Sequence, residues 1–380
     1  MQKLKEVTVY TDGDSSEIST WSNVPYFLTE ALISKGIKVN RVNIKADSLL
    51  EEIYHKTIYY LVKVFNRGTT YTYIRTYIHF KQIRKRIQKS IKQYPNADAD
   101  IFLTFSFSSV GFTNKTIVQF CDWTYDHYFN YFANRKPDFL EKQCIKREDS
   151  QIKGADFVFP LFPSVADYMK KRYGNNKVFY LGNVINSLHH TLEINLDVKQ
   201  NLANLLFVGS NKYIEGAKTL IGAFKKIKSH YPQSKLHIIG IDSSEFEELP
   251  EDVYCYGYLD KGKDIERELY YKLLKEATIF INTTPKWGAF SASIETMYYY
   301  TPVIVTPYDE FSTTFGEKIH FGCYCEENTE SLIEEKIMEI LNHTDYKELC
   351  QNAHDVVKEF TWEAYIDKII QKIEEKMNTN

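Results

Sequence analysis

Residues 205–224 read Leu-Leu-Phe-Val-Gly-Ser-Asn-Lys-Tyr-Ile-Glu-Gly-Ala-Lys-Thr-Leu-Ile-Gly-Ala-Phe, and this stretch decides the fold. It begins with an apolar run of buried-strand length and turns at Gly209. From Gly216 the apolar residues return at helical spacing, which predicts a helix over 216–231. A buried strand, a glycine turn and an amphipathic helix make one unit of a parallel sheet covered by helices. The unit recurs downstream, with strands expected over 236–240, 253–256, 278–282 and 303–306 and helices over 266–276 and 292–299.

The same alternation occupies the first half of the chain. Strands are expected over 7–10, 38–44, 101–105, 116–120, 157–160 and 178–181. A helix over 24–34 ends before Gly36, which suits a C-cap, and a helix over 164–173 has Ser164 as its N-cap. Residues 186–201 are poor in apolar side chains and hold His189 and His190, so they read as a linker. The expected organisation is a domain over 1–185, a linker over 186–201 and a second domain over 202–361. A last helix over 362–380 is expected to pack back on the first domain. A length of 380 residues suits two domains with a core each.

Composition narrows the classes of function. Charged residues make up 26% and the net charge is −3, an ordinary globular balance with no global pull towards nucleic acid. The first residues lack the apolar core and cleavage site of a signal peptide, and no apolar run approaches the roughly 18 to 20 residues needed to span a bilayer. The expectation is a cytoplasmic protein. Its six cysteines form no zinc-type Cys-x-x-Cys pair and no dense disulfide pattern, so reduced thiols and no metal site are expected.

One local feature stands against this even balance. Residues 53–97 contain no acidic residue, but ten lysines and arginines interleave there with tyrosines and phenylalanines. Three readings stay open. The segment can lie on an anionic membrane surface and meet a lipid-linked acceptor. It can equally be a solvated helical face with its aromatics in the core. Nucleic-acid binding is the third, and no recognisable module supports it.

The order of motifs in the second half carries a resemblance. After the 205–224 stretch come Leu236-His237-Ile238-Ile239-Gly240, then Tyr256-Gly257-Tyr258-Leu259, Phe280-Ile281-Asn282-Thr283-Thr284-Pro285, and Trp287-Gly288-Ala289-Phe290-Ser291-Ala292-Ser293-Ile294-Glu295. Over roughly 205–361 this series resembles the donor-binding domain of the retaining glycosyltransferases of family 4. The first half resembles that family more weakly, through Gly154-Ala155-Asp156-Phe157, Gly182-Asn183-Val184 and the segment 20–25. The resemblance implies the α/β fold called GT-B, in which two Rossmann-like domains face each other across a cleft. It also implies transfer of a sugar from a UDP- or GDP-sugar to a hydroxyl on a glycan, a lipid-linked acceptor or a protein, with no obligatory metal and no bound cofactor.

Residue roles follow from that resemblance and from simple electrostatics. A glycine-containing turn at Gly288 leading through Phe290 into a helix at Ser291 or Ala292 directs unpaired backbone N–H groups outward, which suits a diphosphate. Glu295, about one turn on, matches the carboxylate that accepts both ribose hydroxyls; without the resemblance it reads as a structural carboxylate on an exposed helix face. The backbone of Tyr258 or Leu259 is assigned to the base, and Gly209, Ser210, Lys212 and Lys286 to the phosphates. In the first half, Asn23 stands where the family has a glycine facing the donor. Asp122 and His127 are the catalytic candidates near the sugar, against local readings as an Asx-turn and a structural histidine.

Several positions depart from the family's pattern. Ser210 replaces an arginine, Glu215 a lysine, Trp287 the first glutamate of a Glu-x7-Glu pair, and Cys121 a histidine. The two lost cations would stabilise a departing diphosphate, and Lys212, Lys218 and Lys286 lie nearby in sequence. A non-catalytic accessory subunit of the same fold is the second reading. A nucleotide-sugar epimerase or a phosphorylase is the third, and it lacks an acid–base cluster or a pyridoxal lysine context.

Overall fold

The computed structural model describes residues 2–133, 135–174, 176–188, 194–284 and 290–379. The chain divides into two compact units, Met1–Asn183 with Trp362–Asn380, and Val184–Thr361. Each unit is a parallel sheet with helices around it. In the first, strands β1 (Glu6–Thr11), β2 (Lys38–Asn43), β3 (Ala99–Phe102), β4 (Thr116–Cys121) and β5 (Phe157–Pro160) lie in the order β2-β1-β3-β4-β5. In the second, β6 (Asn204–Val208), β7 (Lys235–Ile239), β8 (Val253–Cys255), β9 (Ile279–Asn282), β10 (Val303–Val305) and β11 (Gly322–Tyr324) lie in the order β11-β10-β9-β6-β7-β8.

The central strands are buried on both faces, as their near-continuous apolar runs require. Helix α1 (Val24–Ser34) starts with a proline in its first turn, and Gly36 at φ +78° lets the chain turn back into β2. The C-terminal helix Trp362–Met377 belongs to the first unit. It buries Trp362, Tyr365, Ile366, Ile369 and Ile373, and Trp362 and Tyr365 pack on Phe120 of β4. Burying each of these side chains contributes about 1.5–3 kcal/mol. Polar links from Glu374 to the Leu4 amide and from Lys376 to Asp156 fix its register.

Three expectations change here. Residues 178–181 form no strand, only a single bridge between Val178 and Val158. The helix at Pro163–Tyr173 is capped by Phe162, with Pro163 leading, so Ser164 is inside it and not its N-cap. The short strand β11 was not anticipated, because three partly buried residues carry too little pattern to stand out.

The segment 53–97 splits by burial. Helices α2 (Ser48–Lys56), α3 (Ile58–Phe65) and α4 (Tyr77–Gln93) cover most of it. Tyr71 and Tyr73 are core residues, and Arg84 lies 3.9 Å from the Phe112 ring, so much of this aromatic and basic character is spent on packing. Helix α3 is different: none of its residues is buried, and Phe65 is 91% exposed beside exposed Tyr60, Leu61 and Val64.

In the second unit, β6 and β9 carry a core built from Leu205, Phe207, Ile279 and Ile281 with Leu220, Phe224 and Ile227 of helix α5 (Ile214–His230). The stretch read as a linker is in part structured. Asn195 caps the helix Leu196–Leu202, and Lys199 in it is fully buried, donating to the Tyr299 carbonyl at 2.5 Å and to Thr301 Oγ1 at 2.8 Å. Burial lowers the Lys199 pKa to about 7. The segment looked solvated because its polar side chains bury themselves on partners a hundred residues away. His189 and His190 lie outside the described residues.

Candidate functional site

The strand order of the second unit locates a crevice before any residue role is assumed. The chain runs from β6 outward to β7 and β8, then crosses back to β9 on the other side of β6 and continues to β10 and β11. Connections leave β6 and β9 in opposite directions, and in parallel α/β sheets ligands bind beyond the carboxyl ends of such a strand pair. The loop after β6 carries Gly209, Ser210 and Lys212. The loop after β9 carries Thr283 and Thr284 and leads to helix α6 (Ser291–Tyr298).

Glycines bring these loops close together. A Cβ at Gly216, in the first turn of α5, would lie 2.5 Å from Thr284 Oγ1 and 3.2 Å from the Thr284 amide. Gly240, at φ +96°, passes so near the Gly209 carbonyl that a Cβ would sit 2.5 Å from it. Asn282 holds the β9 loop by accepting from both the amide and the hydroxyl of Thr284, at 3.2 and 2.8 Å. Ser210 and Lys212 are exposed at the rim, as is Glu215.

Helix α6 opens with Phe290, which is buried, and its first helical residue Ser291 is exposed, with Ala292 partly so. Among the described residues no side chain caps this end, so its first backbone N–H groups have no side-chain acceptor there. Lys286, Trp287 and Gly288 lie outside the described residues. Tyr258, at the carboxyl end of β8, is 66% exposed, and Leu259 is buried beneath it.

Glu295 is on the inner face of α6, 5% exposed, and not on an exposed helix face. Its Oε1 accepts from Lys261 Nζ at 2.6 Å and its Oε2 from the Tyr270 hydroxyl at 2.8 Å. Lys261 is itself 6% exposed, donates a second bond to the Asn186 carbonyl at 3.1 Å, and lies 4.3 Å from the Tyr270 ring centroid. Burial and the adjacent Glu295 carboxylate push the Tyr270 hydroxyl well above its ordinary pKa, so it stays a donor. Lys261 and Tyr270 were missed by sequence reasoning. Both looked like surface residues of a charged loop and helix, and only Lys261's place after Tyr258-Leu259 hinted at the site.

The first unit has its own reversal, between β1 and β3. The loop after β1 ends in Trp21, Ser22 and Asn23 at φ 34°, 54° and 73°, three consecutive left-handed non-glycine residues before α1. Asn23 is buried and donates to the Ile18 carbonyl, so its side chain closes the loop and does not point outward. Asp122, after β4, accepts from the Trp123 amide at 2.7 Å and from Cys121 Sγ at 3.2 Å, a local turn.

His127 is enclosed by aromatic rings. It is 8% exposed, stacked 4.7 Å from Trp123 and 4.4 Å from Tyr168 between ring centroids. Neither ring nitrogen has a hydrogen-bond partner among the described residues. Burial lowers its pKa to about 4, so it is neutral at physiological pH. The aromatic neighbours that enclose it are scattered from Trp123 to Tyr168, so no local pattern announced the burial.

Among the described residues no group of three or more His, Cys, Asp or Glu side chains is placed to hold a metal ion, and no helix is long and apolar enough to cross a membrane.

Residues 193–360 match the family model described as glycosyl transferases group 1. These residues are less than half of the chain, and they resemble the group 1 glycosyltransferases. The whole chain has the GT-B fold: sucrose-phosphate synthase from Thermosynechococcus elongatus superposes with a TM-score of 0.66 at 15% identity, over 99% of this chain and 100% of that one. WaaG, a glycosyltransferase involved in lipopolysaccharide biosynthesis, superposes with a TM-score of 0.63 at 13% identity, over 97% and 99%. By sequence, the uncharacterized UDP-glucosyltransferase YojK of Bacillus subtilis (strain 168) is 25% identical over 162 residues, 41% of this chain and 37% of that protein. The match thus spans well under half the length of that relative.

Proposed function

We propose that the chain is a retaining glycosyltransferase, moving a hexose from a nucleoside diphosphate sugar to a hydroxyl acceptor. The observations that carry the reading are the loops tightened by Gly216 and Gly240 at the β6–β9 reversal and the buried Glu295 carboxylate on α6, the helix that follows β9. The amides of Ser291 and Ala292 face the diphosphate, aided by Ser210 and Lys212 and by the loop of Lys286 and Gly288. Glu295 accepts the ribose hydroxyls, and the backbone at Tyr258 and Leu259 meets the base. Asp122 is assigned to the acceptor, and His127 takes no part. The donor is a UDP-sugar in preference to a GDP-sugar, in line with the name of the relative YojK.

The acceptor is a glycan, lipid-linked or protein hydroxyl of surface polysaccharide, glycolipid or glycoprotein synthesis, on the cytoplasmic side. Within the basic segment, helix α3, with its exposed Tyr60, Leu61, Val64 and Phe65 and flanking Lys56, Lys63 and Arg67, is the element assigned to peripheral contact with anionic lipid. An accessory-subunit reading is favoured by one observation, the lack of an arginine or lysine at Ser210 and Glu215.

A thermal-shift screen against UDP, GDP, ADP and CMP, each with its sugars, tests the choice. Stabilisation by UDP or UDP-sugars, lost in Glu295→Gln, supports donor binding at this site. No shift at millimolar concentrations of any of them overturns the transferase reading in favour of the accessory subunit.

A further inference from the structure

We infer that Lys261 is a positioning residue for the donor: it holds and orients the Glu295 carboxylate inside the protein so that the carboxylate can receive the ribose. The inference rests on the proposed ribose role of Glu295.

A carboxylate as buried as Glu295 has lost most of its hydration, and a variant without the neighbouring cation would favour the neutral acid. A protonated acid offers a donor where two ribose hydroxyls need acceptors. Lys261 supplies the counter-charge at 2.6 Å, on Oε1, and Tyr270 binds Oε2 at 2.8 Å. Each carboxylate oxygen has two lone-pair directions, so one on each oxygen remains for a hydroxyl. The ammonium is in turn immobilised by the Asn186 carbonyl at 3.1 Å and by the Tyr270 and Tyr271 rings at 4.3 and 5.4 Å. With its donors committed in this way, Lys261 serves the carboxylate and is not the cation that replaces those absent at Ser210 and Glu215.

The arrangement also distinguishes Lys261 from an ordinary surface ion pair. Other pairs of this unit, such as Lys263 with Glu266 or Arg267 with Asp264, join neighbours three residues apart with exposed partners. Lys261 and Glu295 are 34 residues apart and both are buried. Such a pair is often no more stabilising than an apolar replacement, so stability alone does not account for it.

The test measures UDP affinity by calorimetry between pH 5.5 and 8 for the wild type, Lys261→Met, Lys261→Arg and the double variant Lys261→Met with Glu295→Gln, with melting temperatures alongside. The expected results are a nearly flat pH profile for the wild type and, for Lys261→Met, about tenfold or more weaker binding at pH 5.5 that recovers towards pH 8. Lys261→Arg keeps the flat profile. The double variant, with no buried charge, regains thermal stability but not affinity. Recovery of both in the double variant, or unchanged affinity in Lys261→Met, overturns the inference and leaves a structural ion pair. If the wild type binds no nucleotide, the donor-site reading itself falls and the positioning role falls with it.

Discussion

The Asp122–His127 region of the first unit and the Lys261–Glu295 region of the second both bury polar side chains near the carboxyl ends of parallel strands. They do so in opposite ways. His127 is enclosed by Trp123 and Tyr168 and has no hydrogen-bond partner on either nitrogen among the described residues. Glu295 has a cation on one oxygen and a hydroxyl on the other. The first region also lies after β4, away from the β1–β3 reversal of its sheet, whereas Glu295 follows β9 at the reversal of its own. A buried ionisable group engaged by specific polar partners is a better site candidate than one neutralised by burial.

The largest expected effect breaks the comparison from the second unit. Glu295→Ala strands the Lys261 ammonium in the interior and should cost about 3–5 kcal/mol in urea unfolding. A loss below about 1 kcal/mol would mean that Lys261 finds water or another partner and that the buried pair is weaker than its geometry suggests.

Next comes the glycine contact that shapes the crevice. Gly216→Val places a side chain against Thr284 and should destabilise by about 1–3 kcal/mol while abolishing nucleotide-induced stabilisation. Unchanged nucleotide response in a thermal-shift assay would remove the Gly216–Thr284 approach from the site.

The third prediction concerns His127 and pH. Its folded pKa of about 4 lies below the unfolded value of 6.5, so between those values the unfolded chain binds the extra proton and stability falls as pH falls. His127→Phe removes that liability. The variant should match the wild type within about 1 kcal/mol at pH 7 and exceed it by about 2 kcal/mol at pH 5, in parallel denaturant titrations. Transfer activity at pH 7 should persist; its loss would return His127 to the catalytic candidates.

The smallest effect sharpens the contrast within the first unit. Asp122→Asn retains an acceptor for the Trp123 amide, so stability should change by no more than about 0.5–1 kcal/mol. A fall in sugar transfer without a fall in nucleotide affinity would place Asp122 at the acceptor. Equal transfer would leave it a turn residue.

Much of the fold was legible because parallel βα units have a strong local signature. The run Leu205–Val208 with Gly209, the helix that follows it, and the run 279–282 are periodic and buried in the way their residues suggest. The less legible elements carry weak or misleading pattern. Residues 178–181 are apolar enough for a strand but make a single bridge, and the polar segment before β6 hides the buried Lys199. In the site, Glu295 was accessible through the motif series that contains it, whereas Lys261 and Tyr270 belong to no local pattern.

The sequence by itself determined the order of strands and helices, the recurrence of the βα unit in both halves, and the small residues around Gly209 and Gly216 that let loops approach. These follow from hydrophobic period and steric allowance, which act between residues a few positions apart. The tertiary structure alone decided which buried polar groups find partners: Glu295 with Lys261, Lys199 with Tyr299 and Thr301, and His127 with no hydrogen-bond partner on its ring nitrogens among the described residues. Charge in an interior depends on what packs around it from distant parts of the chain, and that is settled only when the sheets and helices close on one another.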